Sequence, residues 1–134
     1  MAGIANLSID AGATFTSDVL VQNDDGTAFD LTGYTAQGKM SKGYSVTYER
    51  VYFDITIYQT DGIVTISLNP ATTAQLEDGR WVYDVEITNI ADSTVTRVVE
   101  GIITVYPGVV STYNPWLKNL FLGIIISVSY FEKW

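Results

Sequence analysis

Apolar and polar residues alternate with a period of two along most of the first 107 residues, and this pattern is typical of half-buried β-strands. The alternating residues are mainly β-branched and aromatic, which favours strands over helices. Each predicted strand therefore has one inward row of side chains. The four clearest rows are Phe15, Val19 and Val21; Val51, Phe53, Ile55 and Ile57; Val64, Ile66 and Leu68; and Trp81, Tyr83, Val85 and Ile87.

Turn signals separate these strands. NDDGT at 23–27 and Asp61-Gly62 are hairpin-type sequences, and ADST at 91–94 is a further turn. Asn69 and Pro70 predict the N-cap and first residue of one short helical turn. Six or seven strands without intervening helices predict an all-β, antiparallel β-sandwich over residues 1–110, followed by a C-terminal extension.

The charge balance argues against a nucleic-acid partner. The net charge is −8 with only seven Lys and Arg residues, whereas phosphate binding requires clustered basic side chains. The chain has no Cys and no His, which removes thiolate metal sites and the commonest general base. Charged residues make up only 16% of the chain, which suggests that partners cover much of the surface.

Five aspartates are the candidate metal ligands: Asp10, Asp18, Asp24, Asp25 and Asp30. Oxygen-rich clusters suit calcium, but Asn, Asp and Gly are also the residues that tight turns require. We favour turns and expect no metal and no cofactor. No nucleophile–base pair can be assembled either, so we expect no enzymatic activity.

Tyr44, Tyr48 and Tyr52 are evenly spaced, and we predict that they share one face of a strand. If they are exposed, they form a surface for a protein or a glycan. If they are buried, they belong to the core. We favour a protein interface, because Tyr is enriched there.

Residues 111–134 form an apolar C-terminal arm, in which both helical and strand spacing can be found. The β-branched run IIISVSYF favours a strand over about 121–131. A membrane span needs about 20 apolar residues, so we expect no membrane role. The arm either folds back or docks on a neighbouring subunit, and we favour docking. Its expected anchors are Trp116, Leu120, Phe121, Ile124, Ile126, Val128 and Tyr130.

The segments ANLSIDAGATF, DLTGYTA, GRWVYDVEIT and TRVVEGIITVYPGV resemble a family of small virion structural proteins of tailed phages, especially cyanophages. The resemblance covers residues 4 to about 110. It implies an immunoglobulin-like building block in which Leu31 and Tyr34 pack a corner around Gly33 and Gly79 begins a central strand. It carries no catalytic residues. Family members of this type finish soon after the last strand, so the arm departs from the pattern.

We therefore expect a virion protein assembled in the host cytoplasm, with capsid, neck or tail subunits and copies of itself as partners. A capsid decoration or cement protein is the favoured role. A baseplate, neck or tail component is the first alternative. A glycan-binding adhesion module of a tail fibre is the alternative from a different functional class.

Overall fold

The computed structural model describes residues 2–109, in which nine β-strands and one short helix form two packed sheets. The strands are β1 (Gly3–Ile4), β2 (Leu7–Asp10), β3 (Phe15–Leu20), β4 (Tyr34–Ser41), β5 (Val51–Tyr52), β6 (Asp54–Tyr58), β7 (Ile63–Leu68), β8 (Gly79–Asn89) and β9 (Val95–Tyr106), and α1 is Pro70–Thr73. The larger sheet has the order β1-β9-β8-β4-β5, with β2 also on β9, and the smaller sheet has the order β3-β7-β6.

This strand order is that of an immunoglobulin-like β-sandwich. Strands β4, β8 and β9 are neighbours in one sheet, and β3, β7 and β6 are neighbours in the other, as in the two sheets of that fold. The predicted fold class is therefore confirmed. Gly79 begins the long β8 between β9 and β4, as the sequence predicts.

The core lies between the two sheets and is built from the alternating rows. Phe15, Val64, Ile66, Trp81 and Val85 are all buried. Tyr83 is buried too, and its ring meets the Phe53 ring edge-on with centroids 6.3 Å apart. Phe53 has room because Gly38 has no side chain, since a Cβ there would lie 3.0 Å from the Phe53 ring.

The row Val51, Phe53, Ile55 and Ile57 faces inward as predicted, but it does not belong to one strand. Val51 lies in β5 of the larger sheet, whereas Ile55 and Ile57 lie in β6 of the smaller sheet. The chain crosses between the sheets at Phe53, whose N–H still donates to the Gly38 carbonyl over 2.9 Å. Inward alternation continues through the crossing, because both sheets face the same core.

The sandwich departs locally from antiparallel pairing at the N-terminus. Strands β1 and β2 pair in parallel with β9. Parallel strands need a long crossover connection, and here nearly the whole domain lies between β2 and β9 in the chain. Between β1 and β2, Ala5 lies over Gly101, where a Cβ would overlap the Ala5 carbonyl oxygen. The Tyr83 hydroxyl donates to that oxygen over 2.7 Å and so holds the N-terminal segment against the sheet.

The predicted turns are confirmed. Gly26 and Gly62 have φ of 88° and 66°, the left-handed region that glycine tolerates. Asn69 caps α1 by accepting a hydrogen bond from the Thr72 N–H over 2.8 Å. The Leu31–Tyr34 corner is also as expected, with Leu31 fully buried and the Tyr34 N–H donating to its carbonyl.

The predicted arm at 111–134, its strand at 121–131 and its anchor residues lie outside the described residues. The strands of residues 2–109 all fall between Gly3 and Tyr106. The domain boundary at residue 110 stays a prediction.

Candidate functional site

The three tyrosines predicted as a binding surface all lie in or beside the connection between β4 and β5. Tyr44, Tyr48 and Tyr52 are 79%, 49% and 56% exposed, so the buried alternative is wrong for this chain. The prediction that they share one face of a strand is also wrong. Only Tyr52 lies in a strand, whereas Tyr44 and Tyr48 lie in a bent loop at 42–50. We call Tyr44, Tyr48 and Tyr52 the tyrosine surface.

Arg50 explains why this segment curls instead of extending. Its Nη1 donates to the carbonyls of Ser45 and Tyr48 over 2.8 and 3.0 Å, and its Nη2 donates to the Tyr44 carbonyl over 3.1 Å. The same guanidinium reaches the buried Ser41 hydroxyl at the end of β4 over 3.2 Å. The Arg50 side chain thus hydrogen-bonds to loop carbonyls that would pair with a neighbouring strand if the segment were extended. Its bond to Ser41 also connects the loop to the sheet.

The tyrosine surface continues onto the outer face of the larger sheet. Tyr52 lies opposite Lys39, whose ammonium is 5.2 Å from the centre of the Tyr52 ring. Next along the same row come Asp84 and Glu100, which are joined by Arg97 at 3.5 and 3.2 Å. The result is a mixed surface of rings and charges of both signs.

A shallow groove of about 210 Å³ lies between the loop and the sheet. Its lining includes the loop residues Tyr44 and Arg50 and the acidic residues Asp84 and Glu86 of β8. Tyrosine rings with hydroxyl tips, guanidinium donors and carboxylate acceptors can make both apolar and hydrogen-bonded contacts. Such a surface is suited to binding a protein, and exposed rings also suit stacking on a sugar.

The candidate metal ligands do not come together. Asp25 and Asp30 each accept hydrogen bonds from the threonine two residues later, Thr27 and Thr32, and Asp18 accepts one from Thr65. The threonine hydroxyl, then the backbone N–H, lowers the pKa of Asp25 and of Asp30 below the ordinary value. Within residues 2–109 no three His, Cys, Asp or Glu side chains are grouped closely enough to hold a metal ion.

Several exposed apolar residues and the role of Arg50 were not predicted from the sequence. Ile4 is 78% exposed in β1, and Leu20 is 65% exposed because it lies in the outward row of β3, between the inward Val19 and Val21. A signal for Arg50 did exist, because it is the one arginine in the segment 41–52, which contains three tyrosines and two serines. No helix in the described part of the chain is long and apolar enough to cross a membrane.

No protein-family model and no curated protein sequence matches this chain. The solved structures that are similar to it in fold include two immunoglobulin-type domains of other proteins, both at low identity. The filamin domain of Lin-41 is 15% identical, with 75% of this chain and 84% of that chain covered and a TM-score of 0.38. The NK cell receptor Nkp44 is 16% identical, with 79% and 99% covered and a TM-score of 0.39.

Proposed function

We propose that this chain is a non-enzymatic structural protein of a phage particle and that its working chemistry is the binding of neighbouring protein subunits. The observation that carries the proposal is the tyrosine surface. Three large aromatic side chains are displayed together with the 92% exposed Val46. Exposed apolar groups gathered in one place are typical of surfaces that a partner covers.

The tyrosine surface is also held in place before any partner arrives. Arg50 fixes the backbone of the loop through three carbonyls, so less conformational freedom is lost on binding. Tyr and Arg are the side chains that contribute most at protein interfaces. The mixture of Lys39, Asp84 and Glu86 around the groove supplies the polar rim that such interfaces have.

Within the particle we propose a capsid decoration or cement role, in which one domain binds several shell subunits. The resemblance of residues 4 to about 110 to small virion proteins supports this role. The apolar residues predicted at 121–131 supply a second contact, because an uncovered apolar strand favours association. If the protein is instead a baseplate, neck or tail component, it uses the same surfaces at a different place in the particle.

Purified particles of the encoding phage provide the direct test. We expect mass spectrometry to find the protein in stoichiometric amounts and antibody labelling to place it on the head. Labelling of the tail or baseplate would favour the alternative location. If particles purified to constant composition lack the protein, the proposed function is wrong.

The tyrosine surface is tested by substitution. The triple change Tyr44→Ser, Tyr48→Ser and Tyr52→Ser should abolish the binding of added protein to particles that lack it. Tyr58→Ser is the matched control, because Tyr58 is also exposed, at 51%, but lies on β6 of the other sheet. Equal binding by the triple variant and the control would contradict an interface at the tyrosine surface.

A glycan-binding adhesion module is the second candidate, and the exposure of the same three rings favours it. This role requires millimolar or tighter binding of host surface glycans that the triple variant loses. Binding of host polysaccharide by the full chain, together with absence of any binding to other particle proteins, would replace the structural proposal with this one.

A further inference from the structure

One side of the sandwich is open along its whole length. Strands β2 and β3 lie at the same side, β2 in the larger sheet and β3 in the smaller, joined only by the turn at 11–14. Two adjoining clefts of about 430 and 270 Å³ occupy the space between them. We call this space the open seam.

The open seam exposes an unused strand edge. Within residues 2–109, β3 pairs with β7 alone, over all six residues from Phe15 to Leu20. A strand directs alternate N–H and C=O groups to each side, so the outer side of β3 offers a row of free donors and acceptors. The partner edge, formed by β1 and β2, is interrupted at Ala5 and Asn6 and is the poorer template.

The open seam is also apolar. The cleft at its far end is lined by Ile4, Leu7, Val19 and Leu20, among others. Ile4 and Leu20 are mostly exposed there, on opposite sheets. An added strand at this place would pair its backbone with β3 and lie over the cleft beside Ile4, whereas Leu20 belongs to the outward row of β3 with Thr16 and Asp18.

The opposite side of the sandwich is closed, although β6 is likewise an edge strand. The chain itself crosses between the sheets there at Phe53. At the other end of β6, the Leu31 N–H donates to the Gln59 carbonyl over 2.9 Å and bridges the gap. Both ends of the β6 edge are thus occupied by the chain itself, whereas two clefts lie beside β3.

We propose that the open seam receives residues 121–131 from a second copy of this chain, as a strand added to β3. The segment fits in length, because six paired residues span about 20 Å and eleven extended residues reach about 36 Å. Its alternation gives one fully apolar row: Leu122, Ile124, Ile126, Val128 and Tyr130 would face the core. The opposite row is mixed, with Ser127 and Ser129 beside Phe121, Ile125 and Phe131, and would face outward with Thr16 and Asp18 of β3.

Strand direction favours a segment from a second copy over the chain's own segment as the occupant of the open seam. Tyr106 pairs with Asp10, so the chain leaves β9 at the end of the sandwich where β3 begins. A segment that enters its own seam directly at that end would run parallel to β3, whereas one from a second copy can enter at the other end and run antiparallel, the slightly more stable pairing. Residues 110–120 reach about 36–40 Å when extended, enough to leave one domain and enter another. This inference rests on the proposed function, in which the arm docks on a neighbouring subunit.

The chain has no cysteine, so introduced thiols give an unambiguous test. Full-length chain carrying Thr16→Cys is mixed with differently tagged full-length chain carrying Ser127→Cys, and a short bismaleimide is added. We expect a cross-linked species of two chains. Thr56→Cys replaces Thr16→Cys in the matched control, because Thr56 is an exposed threonine on β6, the other edge of the same sheet.

Cross-linking at Thr16 at least tenfold above that at Thr56 supports the proposal. Equal yields at the two positions would overturn it. The proposal would also be overturned if a chain carrying both Thr16→Cys and Ser127→Cys cross-linked only within itself. That outcome would equally contradict the proposal that the arm docks on a neighbouring subunit. If neither position cross-links while the full chain still forms an oligomer that a chain ending at Gly108 does not, the open seam is not the receptor and the proposed function stands.

Discussion

Gly62 allows a quantitative test of how the turns hold the sandwich together. It follows Asp61 in the hairpin between β6 and β7 and has φ of 66°. A Cβ at this position would lie 2.7 Å from the Val21 carbonyl oxygen and 2.8 and 2.9 Å from the oxygen and nitrogen of Phe29. All three are backbone atoms, which cannot rotate away as a side chain can.

The cost of Gly62→Ala has two parts. Placing alanine in the left-handed region costs about 1–2 kcal/mol. Forcing a methyl group against fixed atoms adds about 1–3 kcal/mol, as in other overpacked sites. We therefore expect Gly62→Ala to lower the free energy of unfolding by about 2–5 kcal/mol, a large part of the stability of a small domain.

Gly26→Ala separates the two parts. Gly26 has a similar φ of 88°, but no atom lies within 4 Å of its Cβ position. Only the conformational cost of about 1–2 kcal/mol applies there. Any stabilisation from restricting the unfolded chain is the same for both substitutions, so it cancels in the comparison.

Urea unfolding followed by far-ultraviolet circular dichroism measures the difference. With an m value of about 1.5 kcal/mol/M, an extra ~2 kcal/mol moves the midpoint by more than 1 M. We expect the midpoint of Gly62→Ala to lie below that of Gly26→Ala by this amount. If the two midpoints coincide, the close approach of Val21 and Phe29 to Gly62 is not a constraint and the reasoning fails.

Three further predictions concern hydrogen bonds. Tyr83→Phe removes the bond to the Ala5 carbonyl, so it should cost about 1 kcal/mol and increase amide exchange at Ala5; unchanged exchange would refute it. Arg50→Ala should raise amide exchange at 44–48 while the far-ultraviolet spectrum stays unchanged, since its partners lie in the loop. Thr27→Val should raise the pKa of Asp25 toward its ordinary value in an NMR titration, because the Thr27 hydroxyl is the main cause of its lowering. That stabilisation is present above the ordinary pKa and is lost as pH falls through the lowered one.

Much of this fold could be predicted because its rules are local. Alternation assigned the inward faces of β3, β7 and β8, and the residues of the turns fixed where strands end. Asn69 and Pro70 predicted α1 because capping depends on two neighbouring residues. Each of these features needs only a few consecutive residues, so the sequence carries the signal directly.

The features that were not predicted depend on which strands pair with each other in the folded protein. The crossing at Phe53 leaves no break in the alternation, since both sheets share one core. The parallel pairing of β2 with β9 joins residues nearly 100 positions apart, such as Leu7 and Ile103. The open seam follows from that pairing, because β2 joins β9 and leaves β3 without a second neighbour. No local pattern could have indicated it.

For the tyrosine surface, the sequence indicated exposure as one alternative but did not indicate the shape of the loop. Its exposure was one of the alternatives that the composition suggested, but its shape depends on Arg50, whose three carbonyl partners are only visible in the folded chain. The even spacing of the tyrosines indicated a strand, and the backbone bonds to Arg50 overrode that tendency.

The pairing of the first strands with the last also sets the order of events during synthesis. Strands β1 and β2 are made before all the other strands of the domain, yet their partner β9 is complete only at Tyr106. Chains whose contacts are this distant in sequence fold slowly, on the millisecond-to-second scale. At about 5–20 residues per second, several seconds of translation separate the synthesis of β2 from that of β9. The larger sheet therefore cannot be completed until the last strand of the domain has been made, although its first two strands were made at the start.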